Sequence, residues 1–301
     1  MKTQVEPISK QLNFIKSFVN QSVTADNEWV KYDALATDLG KAFREKIYSD
    51  DEKTQLREAF GTAMTTETLQ GFVYLKPHGY AGDYEIIDKI YTYHESPNKQ
   101  LAKWDKYLHS FPAVKAVRNR KTYIKGILNT KVQNNEKTFE MLNLASGPAR
   151  DLHEFFTEQP NANLAVDCIE LDQDAINYAQ NLLGQHASKV SFIQKNILRY
   201  SSDKKYDLVW SAGLFDYFND DIFKRLLGRF ITNVAVGGEL IIGNFCASNP
   251  NIAYMELLDW ILYHRTAEDL IRLANECGIE SSRITVEKEP EGVNLFMRIR
   301  C

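Results

Sequence analysis

LNLASGPARD, at residues 142–151, has the pattern of a buried strand that runs into a turn of small residues and then into a helix. In a parallel α/β sheet such a turn lies at the carboxyl edge, where backbone N–H groups and the positive end of a helix can bind a ligand. Gly147 would let a ligand approach the backbone closely, and Pro148 suits the first helical position. The turn has one glycine instead of the GxGxxG set, so by itself it fits an ordinary strand–helix connection equally well.

Short apolar runs alternate with helix-like segments from Thr138 onward. Five runs read as strands: TFEMLNL, LAVDCIEL, VSFIQ, YDLVWSA and GELIIGNF. This alternation predicts a parallel, doubly wound sheet. Two further runs near the C-terminus, RITVEK and NLFMRIR, are joined by the short turn EPEGV and predict an antiparallel hairpin.

Residues 1–132 show no strand-like runs. Apolar residues recur there at three- and four-residue spacing, for example in ISKQLNFIKSFVN (8–20) and EKTQLREAFGTAM (52–64). This spacing is typical of amphipathic helices. We therefore predict an all-α domain over residues 1–132 and an α/β domain over residues 133–301.

Bulk composition excludes several classes of function. The chain of 301 residues has a formal net charge of -4, and a phosphate-backbone binder usually carries a basic excess, so we expect no nucleic-acid partner. It has no run of about 18 apolar residues, so we expect no membrane span. The N-terminus lacks a signal-like apolar region, and the four cysteines are far apart in sequence, which favours reduced thiols in a cytoplasmic protein without a bound metal.

A carboxylate follows the second predicted strand at a spacing that suits a nucleoside. Glu170, in CIELD, lies 23 positions beyond Gly147, close to the spacing at which an acid binds ribose hydroxyls. Asp172 could contribute to that site or cap the next helix. Asn196, after the third strand, could bind an adenine edge or serve as a turn residue.

These elements resemble a class I S-adenosylmethionine-dependent methyltransferase over about residues 130–301. LNLASGPARD resembles the first motif of that fold, CIELD its ribose-binding acid, and the terminal hairpin its sixth and seventh strands. The resemblance implies a Rossmann-like, seven-stranded sheet and S-adenosyl-L-methionine as cofactor. The cofactor-binding residues expected from it are Ala145, Ser146, Gly147, Pro148, Arg150, Asp151, Glu170, Leu171, Asp172, Asn196, Ile197, Ser211 and Gly213.

A narrower resemblance covers most of the chain. KPHGYAGDYE (76–85), SAGLFDYFND (211–220) and MELLDWILYHRT (255–266) are similar to bacterial methyltransferases of the 3-hydroxy-fatty-acid methyl ester biosynthesis type. It implies O-methylation of a carboxylate or hydroxyl on a small, acyl-like molecule. Alternatives are a small-molecule N-methyltransferase, a nicotinamide oxidoreductase and a non-catalytic nucleotide-binding protein.

Candidate catalytic residues lie near the predicted carboxyl edge. Asp216 and Tyr217 follow the fourth strand and could face the acceptor, or they could be loop and core residues. Arg265 could bind a substrate carboxylate through two oxygens, or it could pair with a carboxylate of the protein itself.

The loop KPHGYAGDYE could cover the site from the helical domain. Tyr80 offers a flat apolar face with a hydroxyl, and Asp83 offers an acceptor, so both are candidates for contact with the cofactor, and Tyr80 also for catalysis. Alternatively, Asp83 caps a helix that begins at Tyr84.

The helix KAVRNRKTYIKGILNTK carries several cations. They are Lys115, Arg118, Arg120, Lys121 and Lys125. Such a cluster usually forms a solvated helix face. The other interpretation is a docking surface for an acidic partner, such as an acyl carrier protein.

Overall fold

The computed structural model describes residues 8–20, 26–133 and 137–301 and divides into two compact units. The helical unit comprises Met1–Phe111 and Pro250–Ile261, and the sheet unit comprises Pro112–Asn249 and Leu262–Cys301. The chain therefore passes between the units three times.

The described residues form helices first and a helix–strand alternation afterwards. The helices are α1 (Ile8–Asn20), α2 (Asp26–Arg44), α3 (Asp50–Glu58), α4 (Leu69–Leu75), α5 (Tyr84–Tyr91), α6 (Lys99–Ser110), α7 (Pro112–Gln133), α8 (Arg150–Glu158), α9 (Gln173–Leu183), α10 (Asp220–Phe230), α11 (Ile252–Leu257) and α12 (Ala267–Glu276). The strands are β1 (Phe139–Leu144), β2 (Leu164–Glu170), β3 (Val190–Gln194), β4 (Tyr206–Ser211), β5 (Val234–Phe245), β6 (Ile284–Lys288) and β7 (Asn294–Arg300).

Side-chain caps fix where several helices of the helical unit begin. Ser49 Oγ accepts a hydrogen bond from the Glu52 N–H at the start of α3, and the Glu52 carboxylate accepts one from the Ser49 N–H. Thr68 caps α4 by accepting from the Gly71 N–H, and Asp83 caps α5. Each cap satisfies N–H groups that the first turn of a helix leaves without a partner.

The core of the helical unit is aromatic and includes a side chain from the distant segment Pro250–Ile261. Its mutually packed rings are Phe18, Trp29, Tyr32, Phe60, Trp104, Tyr107, Phe111 and Tyr254. The Tyr254 hydroxyl lies 3.0 Å from the Tyr32 hydroxyl and donates to Gln70 Oε1 at 2.6 Å. Gly40 permits close packing of α2 on α11, because a Cβ there would lie 1.8 Å from the Ala253 carbonyl oxygen. The segment joins the helical unit through these contacts.

The helix α7 belongs to the sheet unit, although the sequence placed the boundary after residue 132. Ile124 and Leu128 are fully buried and pack in one cluster with Met141 of β1 and Trp210 of β4. Because this apolar face is covered by the sheet, the units divide before Pro112 rather than after the helix.

The predicted seven-stranded fold is confirmed. The strand order is β3-β2-β1-β4-β5-β7-β6, with β1 to β5 parallel and β7 antiparallel to both β5 and β6. The parallel strands end together at one carboxyl edge. Strand β7 begins at Asn294, opposite Phe245 at the end of β5, so the β6–β7 turn lies at this same edge.

Helices cover both faces of the sheet. One core cluster contains Leu152 of α8 and Leu183 of α9, together with side chains of α7. The cluster on the other face contains Phe223 of α10 and Leu270 of α12. Within the ranges that the structure describes, no helix is long and apolar enough to cross a membrane.

Candidate functional site at the carboxyl edge of the sheet

The turn after β1 has an unusual backbone that organises its N–H groups. Ala145, Gly147 and Ala149 all have positive φ angles, of 54°, 54° and 50°. A left-handed conformation costs about 1–2 kcal/mol for a residue with a Cβ, so the two alanines store strain here. The N–H groups of Ala145 and Ser146 point to the Ile169 carbonyl at the end of β2. Helix α8 begins at Arg150, so the expectation that Pro148 opens the helix was wrong by two residues.

The predicted ribose acid and glycine turn meet directly. Glu170 Oε2 accepts from the Gly147 N–H at 2.9 Å, while Oε1 accepts from the N–H groups of Leu171 at 2.7 Å and Asp172 at 3.1 Å. The carboxylate is 9% exposed. Since an ionised carboxylate accepts about four hydrogen bonds, it retains capacity for a hydroxyl that approaches from solvent.

The residues around this contact fit a nucleoside. A Cβ built on Gly147 would meet no atom within 4 Å, so its Cα borders open space beside Glu170. Leu171 is 59% exposed and offers an apolar surface next to the acid. The hydroxyl of Ser211, at the end of β4, is buried and has no hydrogen-bond partner among the described residues. These features suit a ligand with ribose hydroxyls and a flat base.

Two residues of the predicted set serve the local backbone. Asn196 Oδ1 accepts from the Leu198 N–H at 2.8 Å and caps a one-turn 3₁₀ helix, which is the turn role considered for it. Ile197 is buried in the core. Asp172 caps α9 by accepting from the Asp174 N–H at 2.9 Å. A direct role in cofactor binding stays a prediction for these residues.

The loop after β4 presents one aromatic side chain and buries another. Phe215 is fully buried in the core beneath the edge, whereas Tyr217 is 37% exposed. Asp216, between them, is 2% exposed, and its Oδ1 accepts from the Phe245 N–H at 2.7 Å. This bond ties the loop to the carboxyl end of β5. Tyr217 therefore remains available as a wall of the site, while Phe215 does not.

Two buried carboxyl groups at this edge have raised pKa values. Burial raises the pKa of Asp216 to about 7, although the Phe245 N–H, Arg120 and Arg265 oppose the shift. Burial also raises the pKa of Asp151, in the first turn of α8, to about 6, against the opposing effects of the Leu152 N–H and Arg120. Both groups can therefore carry a proton nearer to neutral pH than an exposed aspartate does.

Replacing Asp216 with asparagine is expected to stabilise the protein above pH 7. The folded-state pKa exceeds the usual 3.8, so the native state binds more protons than the unfolded state, and stability falls as pH rises from about 4 to about 7. The full pKa difference between the folded and unfolded states corresponds to about 4 kcal/mol of unfolding free energy. We expect asparagine to recover only about 1–2 kcal/mol of it, because Arg120 and Arg265 lose a counter-charge. Urea unfolding at pH 5.5 and pH 8 measures the unfolding free energy of the variant and of wild type. A variant less stable than wild type at pH 8 would contradict it.

Arg265 is committed to internal contacts, which corrects its predicted role in binding a substrate. It is 3% exposed, and Nη1 donates to Asn244 Oδ1 at 2.9 Å. Nη2 donates to the Phe218 carbonyl at 2.6 Å and to Asp220 Oδ1 at 3.0 Å. This is the internal Arg–carboxylate pair considered as the alternative, and it holds the loop that carries Asp216 and Tyr217.

The cations of α7 are not a solvated face. Lys121 lies 2.5 Å from the Glu154 carboxylate, and Lys125 lies within 3.0 Å of both Glu154 and Glu158, so these charges pair with α8. Arg118 and Arg120 are buried, at 8% and 9% exposure. Pairing or burial thus accounts for four of the five cations, and a docking surface for an acyl carrier protein stays a prediction.

Arg120 is the functional candidate that the sequence prediction missed. A Cβ on Gly213 would lie 2.7 Å from Arg120 Nη1 and 3.3 Å from Asp216 Oδ2, so the guanidinium and the carboxylate both approach the loop after β4. The signal was available in the sequence. Arg120 shares an apolar stripe with Ala113, Val117 and Ile124 at three- and four-residue spacing, which indicates a buried position.

Tyr80 and Asp83 lie in the helical unit. Asp83 Oδ1 accepts from the N–H groups of Glu85 and Ile86, each at 2.9 Å, and the side chain is 1% exposed, with its pKa raised by burial. Asp83 is thus the cap of α5 that was considered as its alternative role. His78 lies 2.9 Å from the Glu85 carboxylate and braces the same loop. Tyr80 is 39% exposed, and its contact with the cofactor stays a prediction.

Comparison with known proteins places this site in context. Residues 141–238 match a family model described as a methyltransferase domain. A malonyl-[acyl-carrier protein] O-methyltransferase from Ilyobacter polytropus is 24% identical over 114 residues, which are 38% of this chain and 42% of the relative. The chain therefore spans less than half the length of the curated relatives that it matches.

Two solved structures resemble nearly the whole chain in fold. A possible exported protein from Bordetella parapertussis has a TM-score of 0.61 and 16% identity, over 97% of this chain and 95% of that one. The S-adenosylmethionine-dependent methyltransferase SibL has a TM-score of 0.52 and 12% identity, over 97% of this chain and 96% of its own. These likenesses show the fold alone, and within the sheet unit residues 141–238 are identified by the family model as similar to a methyltransferase domain.

Proposed function

We propose that this protein is an S-adenosylmethionine-dependent O-methyltransferase for a carboxylate or hydroxyl of a small, acyl-like molecule. The observation that carries the proposal is the contact between Glu170 and the Gly147 N–H beside open space at the carboxyl edge. The preference for an oxygen acceptor on an acyl group draws on the matched relatives, which are O-methyltransferases of malonyl-[acyl-carrier protein].

The chemistry proposed is an in-line displacement in which the acceptor oxygen bonds to the methyl carbon as the carbon–sulfur bond breaks. When bound, S-adenosylmethionine supplies the electrophilic methyl group, and S-adenosylhomocysteine is the other product. Glu170 would hold the ribose, which leaves the protein mainly the tasks of orientation and water exclusion. A carboxylate acceptor needs no base, whereas a hydroxyl must lose a proton.

The loop after β4 would serve the acceptor. Tyr217 presents an exposed ring, and Asp216 can take up a proton near neutral pH because burial raises its pKa to about 7. Arg265 acts as a positioning residue, because it fixes this loop through the Phe218 carbonyl and Asp220. We assign Asp216 as the base for a hydroxyl acceptor.

Tyr80, on an ordered loop of the helical unit, stays a candidate contact residue for the methyl donor or the acceptor. The loop that carries Tyr80 is held by the Asp83 cap and by the His78–Glu85 pair, so the side chain is presented from an ordered backbone. Tyr80→Phe is expected to lower turnover at saturating cofactor and to leave the melting temperature unchanged. Asp83→Ala serves as the contrast, because loss of a cap costs about 1 kcal/mol of stability. If Tyr80→Phe and wild type turned over at the same rate, the Tyr80 hydroxyl would have no role in the reaction.

The proposed function is tested with purified protein, S-adenosylmethionine and a panel of acceptors. The panel contains a 3-hydroxy fatty acid, the same acyl chain on an acyl carrier protein, a phenol and a primary amine. We expect S-adenosylhomocysteine to form when an acyl acceptor is present. Mass spectrometry should then show a product heavier than the acceptor by one CH₂, about 14 Da. Mild alkali removes the methyl group from an ester and leaves an ether intact. Methylation of the amine alone would show that the protein is an N-methyltransferase rather than an O-methyltransferase. Binding of S-adenosylmethionine without methylation of any acceptor would contradict the proposal that the protein is an enzyme.

A further inference from the structure

An exposed tyrosine lies on a fixed backbone beside Asp216, in a segment outside the residues that match the methyltransferase family model. The segment begins at Leu262, where the chain returns to the sheet unit. The Tyr263 N–H donates to the Asp216 carbonyl at 2.7 Å. The Tyr263 carbonyl accepts from Asn244 Nδ2 at 3.1 Å and from Arg265 Nη1 at 3.5 Å. Both backbone polar groups of Tyr263 are therefore paired with groups close to the carboxyl ends of β4 and β5.

The ring of Tyr263 is presented to solvent from this fixed backbone. It is 51% exposed, and the Arg265 guanidinium lies 5.8 Å from its centroid. A ligand that binds to a mobile segment must also order that segment, whereas a residue with an ordered backbone avoids most of this entropy cost. Tyr263 thus combines a large apolar area with a backbone that is ordered before a ligand arrives.

The side chains next to Asp216 suit an apolar chain. Tyr217 is 37% exposed, and Leu214 and Phe218 are partly buried, so apolar side chains flank Asp216 on both sides along the loop after β4. A hydrocarbon that binds to such a surface is stabilised because apolar area leaves water on both partners. An acceptor with its reacting oxygen beside Asp216 would therefore lay its carbon chain along this surface and the Tyr263 ring.

We propose that Tyr263 is a specificity-determining residue whose ring packs against the carbon chain of the methyl acceptor. This proposal rests on the proposed function, because it takes the acceptor to be an acyl molecule with its reacting oxygen beside Asp216. It adds that the enzyme selects acceptors by the length of an extended hydrocarbon chain. The contact is made by the apolar ring of Tyr263 and not by its hydroxyl.

The test measures kcat/KM for a series of straight-chain 3-hydroxy fatty acids that lengthens by two CH₂ groups at a time. Burial of a CH₂ group corresponds to about a two- to fourfold gain, so kcat/KM of wild type should rise by about that factor per CH₂. Tyr263→Ala should stay within about twofold of wild type for the shortest acceptor and fall about 10- to 50-fold for the longest. The loss should lie in KM, with kcat at saturating acceptor unchanged, because the contact stabilises the bound acceptor and the transition state alike.

Two further variants separate the ring from the hydroxyl and from the fold. Tyr263→Phe keeps the ring and should keep the dependence on chain length, whereas Tyr263→Gln should lose it as Tyr263→Ala does. Calorimetric titration with S-adenosylhomocysteine should give the same affinity for all three variants as for wild type, which also shows that they are folded.

The matched control is Val236→Ala. Val236 is a fully exposed apolar residue of the same unit, but it lies near the amino end of β5, away from the carboxyl edge. Its replacement should leave kcat/KM unchanged for every acceptor in the series.

The other outcomes overturn separate claims. If wild type methylates no acyl acceptor, the proposed function itself fails. If wild type methylates the series without a preference for longer chains, or if Tyr263→Ala keeps the same gain per CH₂, the ring does not contact the chain and the proposal is wrong. A uniform fall in kcat for every acceptor would show that Tyr263 only supports the Asp216 loop. Loss of the chain-length dependence in Tyr263→Phe would assign the contact to the hydroxyl, which also contradicts the proposal.

Discussion

Replacing Glu170 with alanine is expected to weaken binding of S-adenosylhomocysteine about 100-fold. The carboxylate accepts from the Gly147 N–H and is the proposed acceptor for ribose hydroxyls, so its loss would remove a ligand contact and loosen the turn after β1. Hydrogen bonds to a charged group contribute about 1.5–3 kcal/mol each, and about 2.7 kcal/mol corresponds to 100-fold in affinity. Calorimetric titration at a fixed pH and salt concentration measures this change.

Glu170→Ala should weaken the binding of 5′-methylthioadenosine as strongly as that of S-adenosylhomocysteine, because both ligands contain the ribose. The control is Asp203→Ala, which removes an exposed carboxylate of the same unit that is not a candidate site residue, and affinity should then stay within about twofold of wild type. Nearly normal binding by Glu170→Ala would show that the acid serves the turn and not the ribose.

Replacing Arg265 with methionine is expected to lower the unfolding free energy by about 2–4 kcal/mol. Methionine can fill much of the volume but donates no hydrogen bonds, so Asn244 Oδ1 and the Phe218 carbonyl lose their donor at a buried position. Each buried polar group left without a partner costs about 1–3 kcal/mol. Urea unfolding followed by circular dichroism measures this loss.

Arg272→Met is the matched control for Arg265→Met. Arg272 also pairs with Asp220, at 3.2 Å, but its side chain is 48% exposed, whereas that of Arg265 is 4% exposed. An exposed ion pair contributes less than about 1 kcal/mol, so this variant should be nearly as stable as wild type. If Arg265→Met were fully stable and raised only the KM for a carboxylate acceptor, the substrate-binding role would be restored.

The local pattern of the sequence predicted the parts of the site that lie next to the strands. Alternating apolar runs located the parallel strands, and this order placed Gly147 and Glu170 at one edge, where the structure shows a hydrogen bond between them that was not predicted. These predictions succeed because consecutive parallel strands deliver their ends to one edge, so that order along the chain fixes proximity in space.

The structure shows the local hydrogen-bond partners of residues for which the sequence allowed two roles. Asp83 and Asn196 had alternatives as ligand contacts. Asp83 accepts from the N–H groups two and three residues ahead, and Asn196 accepts from the N–H two residues ahead. A short polar side chain before a helical turn is favourable in that role whether or not a ligand is present. The sequence indicated both possibilities, and the geometry showed which hydrogen bonds are made.

What the sequence by itself determined is the order of the elements, the seven-stranded sheet and the placement of Gly147 and Glu170 at one edge of it. Only the tertiary structure decided that Arg120 is buried at the end of β4, that Arg265 is held by the loop from Phe215 to Asp220, and that Pro250–Ile261 packs in the helical unit. The physical reason is that strand and helix patterns arise from neighbouring residues, whereas the role of a charged side chain depends on which distant groups share its desolvated surroundings.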